Sequence, residues 1–314
     1  MARKIIIDCD PGIDDAVALT LALFDPRLEI VAITACSGTV DETKSTQNLQ
    51  AIVERLDPPR HPRLGAATDP EDAPVIGRSY LHGEDGLGNI NMTPVGRQHV
   101  MPSDKLIADR LKAEPGQITI LCLGPLTGVS LAFRRDPSLI DMVDRLIIVG
   151  GTCDGIGDVT PAAEFNMHFD PSSASNIFRS ATTKTMIPLE VSNQVSFGLD
   201  LIEQLPSRHS RAGALLHAIL PHYFWTLRQE CAQEMISLQA VVGVLALVEP
   251  TLFTTQEATI DIEEFGVLTR GATIIDRRPY ARQRKNIELV TAVDVEEARQ
   301  AIIRGLRFAG QESE

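Results

Sequence analysis

Apolar and polar positions along this chain follow two alternating rhythms. Short, mostly apolar runs, often β-branched, occur at 5–7, 30–35, 118–123, 145–149 and 184–189. Runs of that length and composition read as strands buried on both faces. Between them lie longer stretches with helical spacing, from Ala16 onward and over 43–56, 103–112, 126–134 and 172–180. That alternation predicts an α/β fold, a single open, mostly parallel twisted sheet with helices on both faces. Residues 201–239 then read as largely helical, broken at Pro206 and Pro221, with a further helix to Val248. Residues 259–275, carrying Gly266 and Gly271, read as a hairpin, and 294–308 as a closing helix. No linker or repeat divides the chain, so residues 1–314 are expected to form one domain.

Polar chemistry gathers where the first strand ends. Asp8, Asp10, Asp14 and Asp15 fall within eight residues, around the turn Pro11-Gly12. In open α/β sheets, ligands bind beyond the carboxyl ends of strands, which is where these acids stand. Four carboxylates this close repel one another unless a cation or a helix N-terminus offsets them. Hard oxygens at that density point to Ca²⁺ or Mg²⁺. The plainer reading is a solvated acidic turn. A sharper rival is the Asp-x-Asp phosphatase loop, whose first Asp is a nucleophile. That loop normally has Thr or Val two residues after the second Asp, where Gly12 and then an Asp-Asp pair stand here.

Composition narrows the partners. With 314 residues and 44% hydrophobic content, the chain can bury a full core. A net charge of −13 and a pI near 5.0 argue against nucleic acid, and aromatics at 4% leave no stacking platform for single strands. Five scattered cysteines without a Cys-x-x-Cys argue against a zinc ribbon or a disulfide framework. The chain opens on a strand without a signal-peptide pattern, and no apolar run reaches transmembrane length. A cytoplasmic protein acting on a small molecule, with no membrane partner, is the expectation.

Four further motifs turn the acidic run into part of a site. The opening Asp8-Cys9-Asp10-Pro11-Gly12-Ile13-Asp14-Asp15 is followed by His82-Gly83-Glu84-Asp85-Gly86-Leu87-Gly88 and Leu123-Gly124-Pro125-Leu126-Thr127. Thr160-Pro161-Ala162-Ala163-Glu164-Phe165-Asn166, with Asp170-Pro171, comes next, then Gly266-Val267-Leu268-Thr269-Arg270-Gly271. In order and spacing the set resembles the nucleoside hydrolase family of the inosine-uridine preferring type. Members have a Rossmann-like α/β fold and cleave the N-glycosidic bond of ribonucleosides with a bound Ca²⁺. The resemblance implies that Asp10 and Asp14 are catalytic. Asp10 would take a proton from the attacking water, and Asp14 would hold a ribose hydroxyl. Asp10, Asp15 and the Leu123 carbonyl would ligate the metal, and Glu164 and Asn166 would grip the sugar. Asp8 would support from behind. It also implies a homodimer or homotetramer and a place in nucleoside salvage. The chemistry suits the residues, because loss of the base builds oxocarbenium-like positive charge that carboxylates stabilise.

The chain departs from that family at four positions. Counting back from Val248-Glu249-Pro250-Thr251-Leu252-Phe253, the family's leaving-group His falls on Gln239 and its metal-ligating Asp on Ala240. Thr39 stands where the family usually has Asn for the ribose, and Asp158 where an Asn usually contacts the 5′ side. The retained acids predict an N-ribosyl hydrolase acting on a nucleoside or related ribosyl compound. Gln239 and Ala240 predict weakened metal binding and suit two further readings: a catalytically impaired nucleoside- or ribose-binding homologue, or a hydrolase for substrates with better leaving groups. His82 and His168 stand as candidate site histidines beside Gln239.

Overall fold

The computed structural model describes residues 2–70, 74, 78–96, 100–278 and 284–313. The strands are β1 (Arg3–Cys9), β2 (Leu28–Ala35), β3 (Arg63–Ala66), β4 (Met101–Pro102), β5 (Ile118–Cys122), β6 (Arg145–Val149) and β7 (Lys184–Ile187). With Ile287–Val293 and Phe253–Ala258 they form a nine-stranded sheet. Its order is Phe253–Ala258, Ile287–Val293, β7, β6, β5, β1, β2, β3, β4. Every pairing is parallel except that of Phe253–Ala258, which closes one edge antiparallel.

Burial explains the isoleucine run. Ile5, Ile7 and Cys9 enter one apolar cluster with the helices Ile13–Phe24, Arg211–Cys231, Gln239–Val248 and Val295–Glu312. Ile6 enters the other, with Ser103–Ala113, Thr127–Arg135 and Pro171–Arg179. A strand covered on both sides has no polar face to show, so its sequence loses the alternation of a half-exposed strand. The chain winds outward from β1 in both directions, so β1 and β5 flank the topological switch point.

Two expectations change in the fold. Helix Arg211–Cys231 runs straight through Pro221. Such a proline removes one ladder bond at a cost of about 3 kcal/mol. Burial of Ile219, Leu220, Tyr223 and Phe224 on either side offsets it. The short strands β3 and β4, and the pair Phe253–Ala258 and Ile287–Val293, escape the apolar-run criterion because they are short or partly exposed. The expected hairpin over 259–275 does form, between Ile260–Ile262 and Thr273–Ile275, as a separate two-stranded sheet.

Candidate active site

The carboxyl ends of β1, β2, β5 and β6 meet at one rim, and each loop leaving them carries a predicted site residue. Asp10 stands at its centre, 4% exposed. Its Oδ2 accepts from the Thr39 N–H at 2.7 Å and from the Thr39 hydroxyl at 2.9 Å. Two glycines make room for it. A Cβ on Gly38 would stand 2.3 Å from Asp10 Oδ2, and one on Gly124 would stand 2.5 Å from Oδ1. Any larger residue at either position would push the carboxylate out of place. Gly124 belongs to the Leu123-Gly124-Pro125 motif and Gly38 precedes Thr39, but their role as the seat of Asp10 exists only in the fold.

Asp14 and Asp15 open helix Ile13–Phe24, so its N-terminal dipole faces the acid cluster. Asp15 is buried; its Oδ2 accepts from the Gly12 N–H at 3.2 Å, while its Oδ1 has no partner. Asp14 is half-buried, and its carboxylate takes no hydrogen bond or ion pair from the described residues. Burial first, then repulsion from Asp14, pushes Asp10 up to about 7 despite the two Thr39 bonds. Burial and the charges of Asp14 and Asp10 raise Asp15 well above the carboxylate range.

His82 is brought to the same place. Its Nδ1 accepts from the Ile13 N–H at 3.0 Å, and its ring stacks on Tyr223 at 5.3 Å between centroids. Burial lowers it to about 4, so the ring is neutral at physiological pH and its proton sits on Nε2. Its Gly-rich loop therefore buttresses the first turn of the acidic helix.

Glu164 and Asn166 are fully buried and heavily engaged. Glu164 caps helix Phe165–Phe169: its oxygens accept from the Asn166, Gly151 and Met167 N–H groups at 2.9, 2.9 and 3.1 Å. Asn166 Nδ2 donates to the Leu123 carbonyl at 2.8 Å and the Val149 carbonyl at 3.1 Å. It thus ties the β5 and β6 ends together and aims the Leu123 carbonyl. Asp158 accepts from the Phe165 N–H at 2.9 Å and pairs with Arg78. Arg78, unremarked in the sequence, lies over the Phe165 ring 4.1 Å from its centroid. Only its place four residues before His82 could have drawn notice.

His168 and Gln239 bond outside the acid cluster. His168 turns to the terminal hairpin, where its Nδ1 lies 2.9 Å from the Arg270 carbonyl. Gln239 donates from Nε2 to Asn193 Oδ1 at 3.0 Å. Ala240 is buried in the apolar cluster at the first turn of helix Gln239–Val248. That helix packs beside Ile13–Phe24 and over β5 and β6.

Asp8 points to the opposite face of β1. It accepts from the Thr34 hydroxyl at 2.5 Å, and its Oδ2 is buried without a partner. Burial pushes it up to about 7, with the Thr34 bond opposing. The folded value lies above the ordinary 3.8, so the stability it contributes is complete below about 4 and is lost as pH rises through 7. The melting temperature should accordingly fall between pH 5 and pH 8, and fall less in Asp8→Asn. Equal slopes in the two proteins would place the pH effect elsewhere.

A cluster of carboxylates at the switch point of a mostly parallel sheet stands where α/β proteins bind small molecules. The chain belongs to the inosine-uridine preferring nucleoside hydrolase family, whose model matches residues 5–300. A non-specific ribonucleoside hydrolase (RihC) of Salmonella enteritidis is 34% identical over 306 residues, covering 97% of this chain and 98% of that protein. Among solved structures, a plant nucleoside hydrolase superimposes with a TM-score of 0.88 at 28% identity, over 98% of this chain and 99% of its own. A purine-preferring ribonucleoside hydrolase from Gardnerella vaginalis shares the fold with a TM-score of 0.90 at 24% identity, over 99% of both chains.

The residues present fit the cation implied by this family, with a reduced ligand set. The unpartnered Asp15 Oδ1 and the mutual repulsion of the acids are both relieved by a cation. No cluster of three or more His, Cys, Asp or Glu side chains able to hold a metal occurs among the described residues. The donors that would hold it are the carboxylates of Asp10 and Asp15 and the Leu123 carbonyl. Ca²⁺ accepts six to eight oxygens and takes water for the rest.

Proposed function

We propose that the protein hydrolyses the N-glycosidic bond of a ribonucleoside or a related ribosyl compound. One observation carries this reading: Asp10 is clamped by Thr39, walled by Gly38 and Gly124, and set beside Asp14 and Asp15. A base held that rigidly can meet a water without reorganising. Asp10 removes a proton as the water oxygen bonds to C1′, and the bond from C1′ to the base breaks. Asp14 accepts from a ribose hydroxyl. The surrounding carboxylates stabilise the positive charge that spreads over C1′ and the ring oxygen. Asp10, Asp15 and the Leu123 carbonyl would hold Ca²⁺, which supplies orientation and acidification of the water.

The departing base must gain a proton or leave as an anion. Gln239 can donate a hydrogen bond but cannot give up a proton at neutral pH. Substrates whose leaving group needs no protonation should therefore be cleaved fastest. Incubation with purine and pyrimidine ribonucleosides and with a nitrophenyl riboside, with and without Ca²⁺, tests this. Base and ribose should be released, and nitrophenolate faster than inosine's base. No release from any of them at any Ca²⁺ concentration would sink the reading.

Gln239 and Ala240 specifically favour a second reading, a ribose- or nucleoside-binding homologue with impaired catalysis. Calorimetric binding of a nucleoside without turnover would support it. In either case the partner is a small nucleoside-like molecule. We further propose a homodimer or homotetramer in one-domain subunits; among the described residues no helix is long and apolar enough to cross a membrane.

A further inference from the structure

The motif Gly266-Val267-Leu268-Thr269-Arg270-Gly271 takes no part in the proton transfer or the sugar contacts, yet its last two residues meet the backbone just beyond Asn166. His168 Nδ1 lies 2.9 Å from the Arg270 carbonyl, so that nitrogen carries the proton and donates. The Arg270 guanidinium donates back to the His168 carbonyl at 2.8 Å. Gly271, at φ +79°, comes so close that a Cβ there would stand 2.4 Å from His168 Cα. A further tie comes from the returning strand, where the Thr273 hydroxyl accepts from the Thr152 N–H at 3.2 Å.

These ties fall on the two segments that hold Glu164 and Asn166. Helix Phe165–Phe169 is five residues long, too short to persist on its own hydrogen bonds. Glu164 fixes its first turn. Arg270 takes a carbonyl at its other end, where a helix leaves acceptors open and a cation is favoured. Thr152 follows Gly151, whose N–H donates to Glu164. A two-stranded hairpin alone is marginal, but this one is firmly seated. Ile260 and Ile262 are buried in the cluster that contains Ile6. The Asn286 side chain bonds both the N–H and the carbonyl of Ile260, and the Phe178 carbonyl as well.

Resting on the hydrolase reading above, we propose that Arg270 and His168 are positioning residues: the pair locks the terminal hairpin onto helix Phe165–Phe169 and thereby sets where Asn166 and the Leu123 carbonyl stand. The route from clamp to site is short. Asn166 precedes His168 by two residues on the same turn, and its Nδ2 bonds the Leu123 and Val149 carbonyls at 2.8 and 3.1 Å. Loosening the far end of so short a helix lets that amide drift off both carbonyls. Groups that grip a substrate lose much of their effect when displaced by about 1 Å, so the supporting contacts carry function without touching the ligand.

The test measures kcat and KM for inosine and uridine, calorimetric binding of free ribose, and amide hydrogen exchange at Gly151 and residues 165–169. A loosened sugar grip is lost in ground state and transition state alike. Arg270→Ala should therefore raise KM and weaken ribose binding by about tenfold, with kcat changed by less than about threefold. The amides of that helix should exchange about tenfold faster or more. Arg270→Lys keeps a cationic donor for the His168 carbonyl and should recover most of the loss. His168→Asn keeps a donor for the Arg270 carbonyl and should stay near wild type, whereas His168→Leu should follow Arg270→Ala. Ile302→Val, in the core of helix Val295–Glu312, should lower the melting temperature without moving KM, which separates positioning from general stability. Wild-type KM and ribose affinity in folded Arg270→Ala overturn the positioning role, while its turnover keeps the hydrolase reading. Should that variant fold poorly, a wild-type KM in His168→Leu overturns it instead. Ribose binding weakened by Arg270→Ala without turnover in any variant supports the clamp and overturns the hydrolase reading. Absence of both cleavage and ribose binding in wild type overturns the two together.

Discussion

Asp10→Asn is expected to lower turnover of any ribosyl substrate by roughly 10²–10⁴, the usual contribution of a positioned general base. The amide keeps the shape that Gly38 and Gly124 accommodate and keeps an oxygen for the Thr39 donors. What it loses is the capacity to take a proton. The folded state should therefore survive, and removal of one of several repelling acids should leave the melting temperature level or higher. In wild type without added cation, turnover should climb as pH rises through about 7, since burial and Asp14 hold Asp10 protonated below that. The variant should show neither the rate nor that rise. An Asp10→Asn enzyme within tenfold of wild type would assign proton removal to another group.

The double substitution Gln239→His/Ala240→Asp should act in the opposite direction. A histidine at the first turn of Gln239–Val248 gives the departing base a proton donor. General acid catalysis of that kind is worth roughly 10²–10⁴ for poor leaving groups. Inosine turnover should rise accordingly, while nitrophenyl riboside cleavage should change by less than about tenfold. The Ala240→Asp half has a readout independent of rate. Ala240 is 2% exposed in an apolar cluster, so an unpaired carboxylate there should depress the melting temperature in chelator. Ca²⁺ should restore it and bind more tightly than to wild type by calorimetry. A double mutant with unchanged rates and unchanged Ca²⁺ affinity would show that these two positions do not limit the protein.

Legibility of the site differed residue by residue. Asp10, Asp14 and Asp15 were readable because a strand end, a Pro-Gly turn and a helix start set them close in the chain. Glu164 and Asn166 were readable through their motif, yet their bonds were not. Their first task is to cap a helix and join two strand ends, a role that exists only when β5 and β6 lie side by side. His168 looked like a spare acid because it lies two residues from Asn166. The turn of helix Phe165–Phe169 sends it to Arg270 instead. Arg78 could not be read at all, since its partners Asp158 and Phe165 lie some eighty residues away in sequence.

The acidic cluster at the end of β1, the apolar runs and their alternation with helices are local properties. They follow from side-chain chemistry and from what a doubly covered strand must be made of. Those alone determined the α/β class, the rim on which chemistry collects and the absence of an acid or imidazole at Gln239 and Ala240. Tertiary structure decided the rest: the paired glycines that seat Asp10, the neutral His82 stacked on Tyr223, and the Arg78–Asp158 pair. Each of these joins chain segments far apart in sequence, and neither burial nor electrostatics between such segments exists until the sheet has brought them together.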